Sequence, residues 1–496
     1  MKIYFLVLVL FFTKLAVSSN YYVASNGSDS NNGTTLETPF ASIATAVSKV
    51  AAGDSILVRG GTYQHNVTIY LKTSGTESAN IYLLAYADEK PVLDFSGTAF
   101  GKRGMALSAN YWTIKGIEMM YAGDNALNIS GNFNTIEFCS FHDNKDTGLQ
   151  LGGGAHDNNI INCDSYFNAD PTDYGDADGF AAKLDVGSNN YFYGCRAWFN
   201  CDDGWDGYMR GNDDVSTKLE NCWTWSNGYF KDGTDAGKSA NGNGFKVGGS
   251  DDKMLKHNFT LVNCLSFYNK AKGFDQNNNK GDIKWYNCTA YGNKGADYSI
   301  YLALAAGKIA EVKNCVLFNG TQSLASFVVQ ETNSWNANFT VDKSDFLSVD
   351  TTGISGPRQA DGSLPEVAFM HLTDNSDLVN AGIDLGFPFL GVAPDLGAFE
   401  TTVETGNGIK QLNSTHGFVA FQSNSSTITI RIELEVEGSA DLSLYNLSGR
   451  LILKNNSTEL KQGLNEIYIP VDLLSGIYLL KMNNHDKSYS TKVMIH

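Results

Sequence analysis

From about residue 80 to residue 320, short apolar runs alternate with glycine- and asparagine-rich turns, and no apolar pattern is long enough for a helix. The runs recur at a recognisable step. Cysteine precedes asparagine by five residues at Cys139–Asn144, Cys163–Asn168, Cys195–Asn200, Cys222–Asn227, Cys264–Asn269 and Cys288–Asn293, and by four at Cys315–Asn319. Successive cysteines lie 24, 32, 27, 42, 24 and 27 residues apart. A period near 24 with irregular insertions is the mark of a solenoid whose coils stack while loops vary on one side. With no helix in the repeat, each coil should hold about three short strands, which gives a parallel β-helix. Strands stacked ~4.8 Å apart place equivalent side chains in columns, so the asparagines should form a hydrogen-bonded ladder at a turn. The two long intervals contain NADPTDYGDADGFAAK and GYFKDGTDAGKSANGNGFK. Insertions on one side of a rigid coil usually build the binding face.

The flanks differ. Apolar residues at helical spacing (Phe40, Ile43, Ala46, Val47, Val50) predict one amphipathic helix over Pro39–Ala51, followed by strands Ser55–Val58 and Asn66–Tyr70. Such a helix would cover the open end of the strand stack. Residues 343–400 are loop-rich, and TTVETGNGIKQL (401–412) reads as a linker. Over 413–496 the apolar positions alternate in period two (STITIRIELEV, NEIYIPVDLL, STKVMIH), which predicts a small β-sandwich. Residues 1–18 have a lysine, an apolar run and a small-residue end. This predicts a cleaved secretory leader too short to span a membrane stably.

Composition agrees with an all-β chain: 50 glycines, 12% aromatics and only 8 prolines in 496 residues. The net charge of −17 becomes about −19 once Lys2 and Lys14 leave with the leader. Nucleic acid and anionic membranes are therefore poor partners, whereas clustered carboxylates suit Ca²⁺. Seven of the eight cysteines share one repeat position and are expected as reduced, structural thiols, although stacked Cα atoms lie within bridging distance. Cys201 falls outside that column. The eight histidines show no ligand spacing and are expected at the surface or in turns.

Candidate chemistry concentrates between Asp176 and Gly249. DADGFAAK (176–183), NCDDGWDGY (200–208) and NGNGFKVGG (241–249) each carry a glycine followed by an aromatic, and the unit returns at Gly273-Phe274-Asp275. If these glycines are equivalent repeat positions, Asp178 stacks beside Asp203, and Asp206 shares a column with Lys246, which alternation turns outward. Carboxylates ~5 Å apart repel one another, and a bound cation would relieve that. A lysine beside a divalent cation has its ammonium form disfavoured, which suits a general base. Turn-capping aspartates, a purely structural calcium and a solvated lysine remain alternatives.

The cap run GSDSNNGT…PFASIATAV…AAGDSILVRGGTY resembles the N-terminal cap of secreted right-handed parallel β-helix proteins. The motifs DGFAAK, DDGWD and GFK resemble polysaccharide lyase family 9, a likeness that covers roughly residues 20–400. It implies a right-handed β-helix catalytic domain, Ca²⁺ held by Asp178, Asp202, Asp203 and Asp206, and Lys246 as Brønsted base. The activity implied is β-elimination on an acidic, uronate-containing plant cell-wall polysaccharide, either polygalacturonate or rhamnogalacturonan. Lys183, Arg210, Lys231 and Lys238 flank the motifs as candidate substrate contacts. The run LSLYNLSGRLI…STKVMIH resembles the C-terminal sorting domain of type IX secretion substrates, which implies a secreted or cell-surface protein that engages that machinery. A monomer is expected. A β-helix hydrolase with paired aspartates and a non-catalytic glycan-binding adhesin are the competing functions, and an attached carbohydrate-binding module is the competing reading of the C-terminal sandwich.

Overall fold

The computed structural model describes residues 18–401 apart from 88, 337 and 338, together with most of 419–495. The leader (1–18) and the linker (401–412) therefore lie almost wholly outside the described residues. From Asn20 to Glu331 the chain winds into a right-handed parallel β-helix whose coils contribute strands to three sheets. The first sheet has twelve strands and begins at Asn20–Val23 and Ser55–Val58. The second and third have ten each and begin at Gly61–Gln64 and Ile69–Leu71. The predicted strand at Ser55–Val58 is observed, whereas that at Asn66–Tyr70 starts later, at Ile69.

The capping helix is shorter than its apolar pattern suggests. It spans Ile43–Val47, capped by the Ser42 side chain accepting from the Thr45 amide. Val50 is still buried beside Ile43 and Ala46, but in irregular backbone. The spacing therefore marks the covered face, while the chain turns to enter the first coil.

Between the first and second sheets each coil turns through one residue at positive φ (Phe138, Asn162, Gly194, Asn221, Asn263, Asn287, Asn314), immediately followed by the column cysteine. All eight cysteines are buried and unbridged, as small interior side chains. Between the second and third sheets a second left-handed residue (Asp143, Phe167, Phe199, Ser226, Tyr268) precedes the ladder asparagine. The ladder runs Asn144–Asn168–Asn200–Asn227–Asn269–Asn293, each amide Nδ2 donating to the next Oδ1 at 2.8–3.0 Å. It ends at Asn293, whose Nδ2 donates to Asp297. Asn319 is not a seventh rung; it takes the left-handed corner position itself. A second ladder, Asn134–Asn158–Asn190, which the cysteine spacing did not reveal, closes the turn from the third sheet to the first.

Residues 343–400 lie across the second sheet. Phe346, Phe369, Leu372, Leu378 and Leu396 cover Trp198, Trp223, Trp225 and Phe267. Arg358 of this segment joins Arg196 on the buried carboxylate of Asp164, at 2.7 and 2.8 Å. Beyond it, the described part of 419–495 forms an antiparallel three-stranded and an antiparallel four-stranded sheet around their own core, as expected for the sandwich.

Candidate active site

The site is built on four successive strands of the third sheet: Phe180–Ala182, Trp205–Asp206, Phe245–Lys246 and Phe274–Asp275. Their register pairs Phe180 with Trp205, Phe245 and Phe274, and these rings stack inside the coil with centroids 4.8–5.1 Å apart. Each ring is preceded by glycine for a steric reason. A Cβ on Gly204 would meet Thr224 Oγ1 at 2.0 Å and the Gly244 carbonyl at 2.6 Å, so only glycine lets the corner close against the second sheet. With the aromatics inward, alternation turns the next residue outward. Asp206 and Lys246 are thus register partners on the outer face.

Asp178 and Asp203 precede the rings by two residues and stack in the same way, the Asp203 amide donating to Asp178 Oδ1 at 3.2 Å. Asp178, Asp202 and Asp203 bring one carboxylate oxygen each to within 4.8 Å of one another, all buried. The insertions hold them there. Asn241 donates its amide to Asp202, and Asn243 donates both its amide and its Nδ2 to Asp203 Oδ1 at 2.7 and 2.8 Å. Ala177, Cys201, Ala236 and Ala240 form a small core beneath these loops, which gives Cys201 its structural place.

Lys246 is 2.9 Å from Asp203 Oδ2 and 3.2 Å from Asp206 Oδ1. Lys183 joins the cluster as well, at 2.7 Å from Asp178 and 3.5 Å from Asp206. It is not a peripheral charge: its side chain is 7% exposed and sits among the carboxylates as a counterion. Arg210 is exposed and pairs with Asp251, Lys231 is exposed and pairs with Asp143, and Lys238 is exposed on the 228–243 insertion. Among the described contacts, none joins these three to the aspartates.

The electrostatics show what the cluster lacks. Burial, reinforced by Asp206 and Asp203 and opposed by Lys183, pushes the Asp178 carboxyl up to about 8. Burial and the neighbouring aspartates raise Asp202 well above the carboxylate range and raise Asp203 as well. Asp206 is lowered instead, because Lys246 and Lys183 outweigh its burial. Burial disfavours the Lys246 ammonium, yet Asp203, Asp206, Asp202 and Asp178 together hold it well above its usual value. Four carboxylates face two amines. The raised groups are the three whose oxygens converge, and a hard, all-oxygen donor set short of positive charge fits a divalent cation such as Ca²⁺. Asp206 is turned onto the lysines and stands outside that triad.

Sequence reasoning missed several supports. His257, expected at the surface, is fully buried behind the site. Its Nδ1 donates to the Gly207 carbonyl at 3.0 Å and its Nε2 accepts from Thr217 at 2.8 Å, which fixes the tautomer. Tyr208 places its ring 5.7 Å from Lys246 Nζ. The period-24 spacing carries no signal for either.

Residues 21–314 match the family described as the Pel9A-like, right-handed β-helix region. The chain belongs to that family. Pectate lyase L of Dickeya chrysanthemi is 38% identical over 394 residues, covering 77% of this chain and 90% of that protein. Pectate lyase PEL9 of Emericella nidulans is 30% identical over 393 residues, covering 73% and 94%. Among solved structures, pectate lyase Pel9A superposes with a TM-score of 0.71 at 36% identity, covering 78% of this chain and 97% of that one. A rhamnogalacturonan lyase superposes with a TM-score of 0.60 at 27% identity, covering 72% and 97%. Outside the family region, residues 424–496 match a secretion system C-terminal sorting domain.

Proposed function

We propose that this pectate-lyase-type polysaccharide lyase cuts uronate-containing pectic chains by calcium-dependent β-elimination, with Lys246 as the base. The observation that carries the reading is the juxtaposition of three converging carboxylates with one buried outward-facing amine, 2.9 Å from Asp203. Asp178, Asp202 and Asp203 would hold the cation, with Asp206 within reach of the same cluster through Lys246 and Lys183. When bound, calcium would neutralise the C6 carboxylate of the sugar, acidify its C5 proton and disfavour the ammonium form of Lys246.

The remaining work falls to the chain's own groups. Lys246 Nζ accepts the C5 proton. Asp203 and Asp206 fix the direction of that amine. Asn241 and Asn243 hold Asp202 and Asp203 against their mutual repulsion. Departure of the O4 leaving group then gives a 4,5-unsaturated end. The sorting domain places the protein outside the cell or on its surface, and we assign its export to type IX secretion machinery acting after removal of the leader.

The test is digestion of polygalacturonate and of rhamnogalacturonan with calcium or with chelator, read for unsaturated ends. Unsaturated product formed only with calcium supports the reading. Saturated product formed in chelator would replace it with hydrolysis, and binding without shortening would replace it with an adhesin.

A further inference from the structure

The outward row that carries Asp206 and Lys246 does not stop at the reaction centre. Register pairs Asn128 with Gln150, Ala181, Asp206, Lys246, Asp275, Ser299 and Ser323 on successive coils. This is a continuous polar and small-residue track along the third sheet. One aromatic ring stands beside it past Lys246. Tyr301 is 48% exposed, and Lys272 Nζ lies 5.0 Å from its ring centroid.

This pair is held in place. The Tyr301 amide donates to Oε1 of Gln276 at 2.9 Å, and Gln276 is fully buried, with its Nε2 donating to the Leu302 carbonyl. The Lys272 amide donates to Asn243 Oδ1 at 3.2 Å, and Asn243 in turn donates to Asp203. Lys272 Nζ also holds Asp275 Oδ1 at 2.8 Å. That leaves ammonium donors for a further acceptor, and its side chain is 30% exposed. An exposed ring with an ammonium over its face suits a sugar acid: the C–H face of the pyranose lies on the negative π face, and the carboxylate meets the ammonium.

We infer that Tyr301 and Lys272 form a distal uronate-binding subsite on the substrate track, with Lys272 one coil and Tyr301 two coils beyond Lys246. At ~4.8 Å per coil the Lys272 backbone lies roughly 5 Å and that of Tyr301 roughly 10 Å along the axis from the base. It binds a unit of the same chain that is cut at the centre. The inference rests on the proposed lyase reading and adds a length dependence to it.

The experiment uses the full chain with calcium and a ladder of oligogalacturonates from dimer to octamer. Affinity is measured calorimetrically in a Lys246→Ala background, and KM and kcat in the active one. Tyr301→Ala and Lys272→Ala should each weaken the long oligomers roughly three- to tenfold, the size of one lost aromatic or charged contact. They should leave the dimer unchanged and raise KM for polygalacturonate at constant kcat. Tyr301→Phe, which keeps the ring, should restore binding. Removal of the Lys272 amine also unpairs Asp275, so the exposed Tyr301 is the deciding position. A Tyr301→Ala deficit equal at every length, or none at any length, overturns the subsite while leaving the lyase reading intact. A parent enzyme that neither binds nor cleaves oligogalacturonate removes both.

Discussion

Asp206 faces Lys246 across two parallel strands, Oδ1 to Nζ 3.2 Å, while its other oxygen lies 3.5 Å from the Lys183 amine. One carboxylate therefore ties together the two buried cations of the site. It is also the one aspartate of the four whose carboxyl is held below its usual range. The other three are raised although Asp178 and Asp203 also touch an amine, so the cluster divides into one carboxylate that the two amines outweigh and three that burial and mutual repulsion dominate. That division sets what each substitution should do.

Lys183→Met keeps the length of the side chain and removes a buried charge. Without calcium, Asp178 and Asp206 lose a partner at 2.7 and 3.5 Å, and breaking a buried pair in this way costs about 3–5 kcal/mol. Denaturant unfolding in chelator should show that loss, and calcium should recover part of it. An unchanged midpoint in chelator would contradict the role of Lys183 as internal counterion.

The raised carboxyls give a pH dependence of definite sign. A carboxyl whose folded-state value lies above its unfolded value contributes stability in the protonated form, and that contribution is lost as pH rises through the folded value. For Asp178 the window runs from its ordinary 3.8 to about 8, and the directions for Asp202 and Asp203 agree. Lys183 and Lys246 are raised above 10.5 and act only at more alkaline pH. The melting temperature in chelator should therefore fall between about pH 4 and pH 8, and calcium should flatten the fall. A chelator profile that rises across this window would contradict the assignment.

Asn200→Ala removes a rung two residues before Asp202. The Asn168 amide and Nδ2 lose their acceptor at Asn200 Oδ1, and Asn227 Oδ1 and the Ser165 carbonyl lose a donor. Leaving buried groups unpaired should cost about 2–3 kcal/mol. Calcium affinity should drop with it, because the corner that aims Asp202 and Asp203 is loosened. Urea titration and calcium calorimetry check both.

Reductant should change neither melting temperature nor activity, since all eight thiols are buried and unbridged. A fall in melting temperature on reduction would show that the cysteine column is cross-linked.

The repeat and the register of the site were legible in the sequence for one physical reason. Gly179-Phe180, Gly204-Trp205 and Gly244-Phe245 each combine a corner too tight for a Cβ with a ring that must point inward, so the pattern carries both the coil boundary and the facing of Asp206 and Lys246. The corners themselves were not legible. Phe167, Phe199 and Tyr268 take left-handed backbone at φ 51–59°, which their residue types disfavour; the asparagine ladder next to them imposes it. Lys183 was misplaced because it and Asp178 are not joined by extended chain: the corner at Gly179 between them shortens their separation. The long Lys183 side chain runs back over the outer face to reach the Asp178 carboxylate. His257 was missed because its partners, the Gly207 carbonyl and Thr217, are 50 and 40 residues away in the chain.

The central claim is that the buried amine of residue 246 is the base. Its most direct test is the rate of unsaturated-product formation by Lys246→Ala on polygalacturonate in saturating calcium, with calcium binding measured on the same preparation. The account predicts a loss of about 10²–10⁴-fold in kcat, with the cation still bound and the fold intact. Wild-type turnover by the Lys246→Ala protein would contradict it.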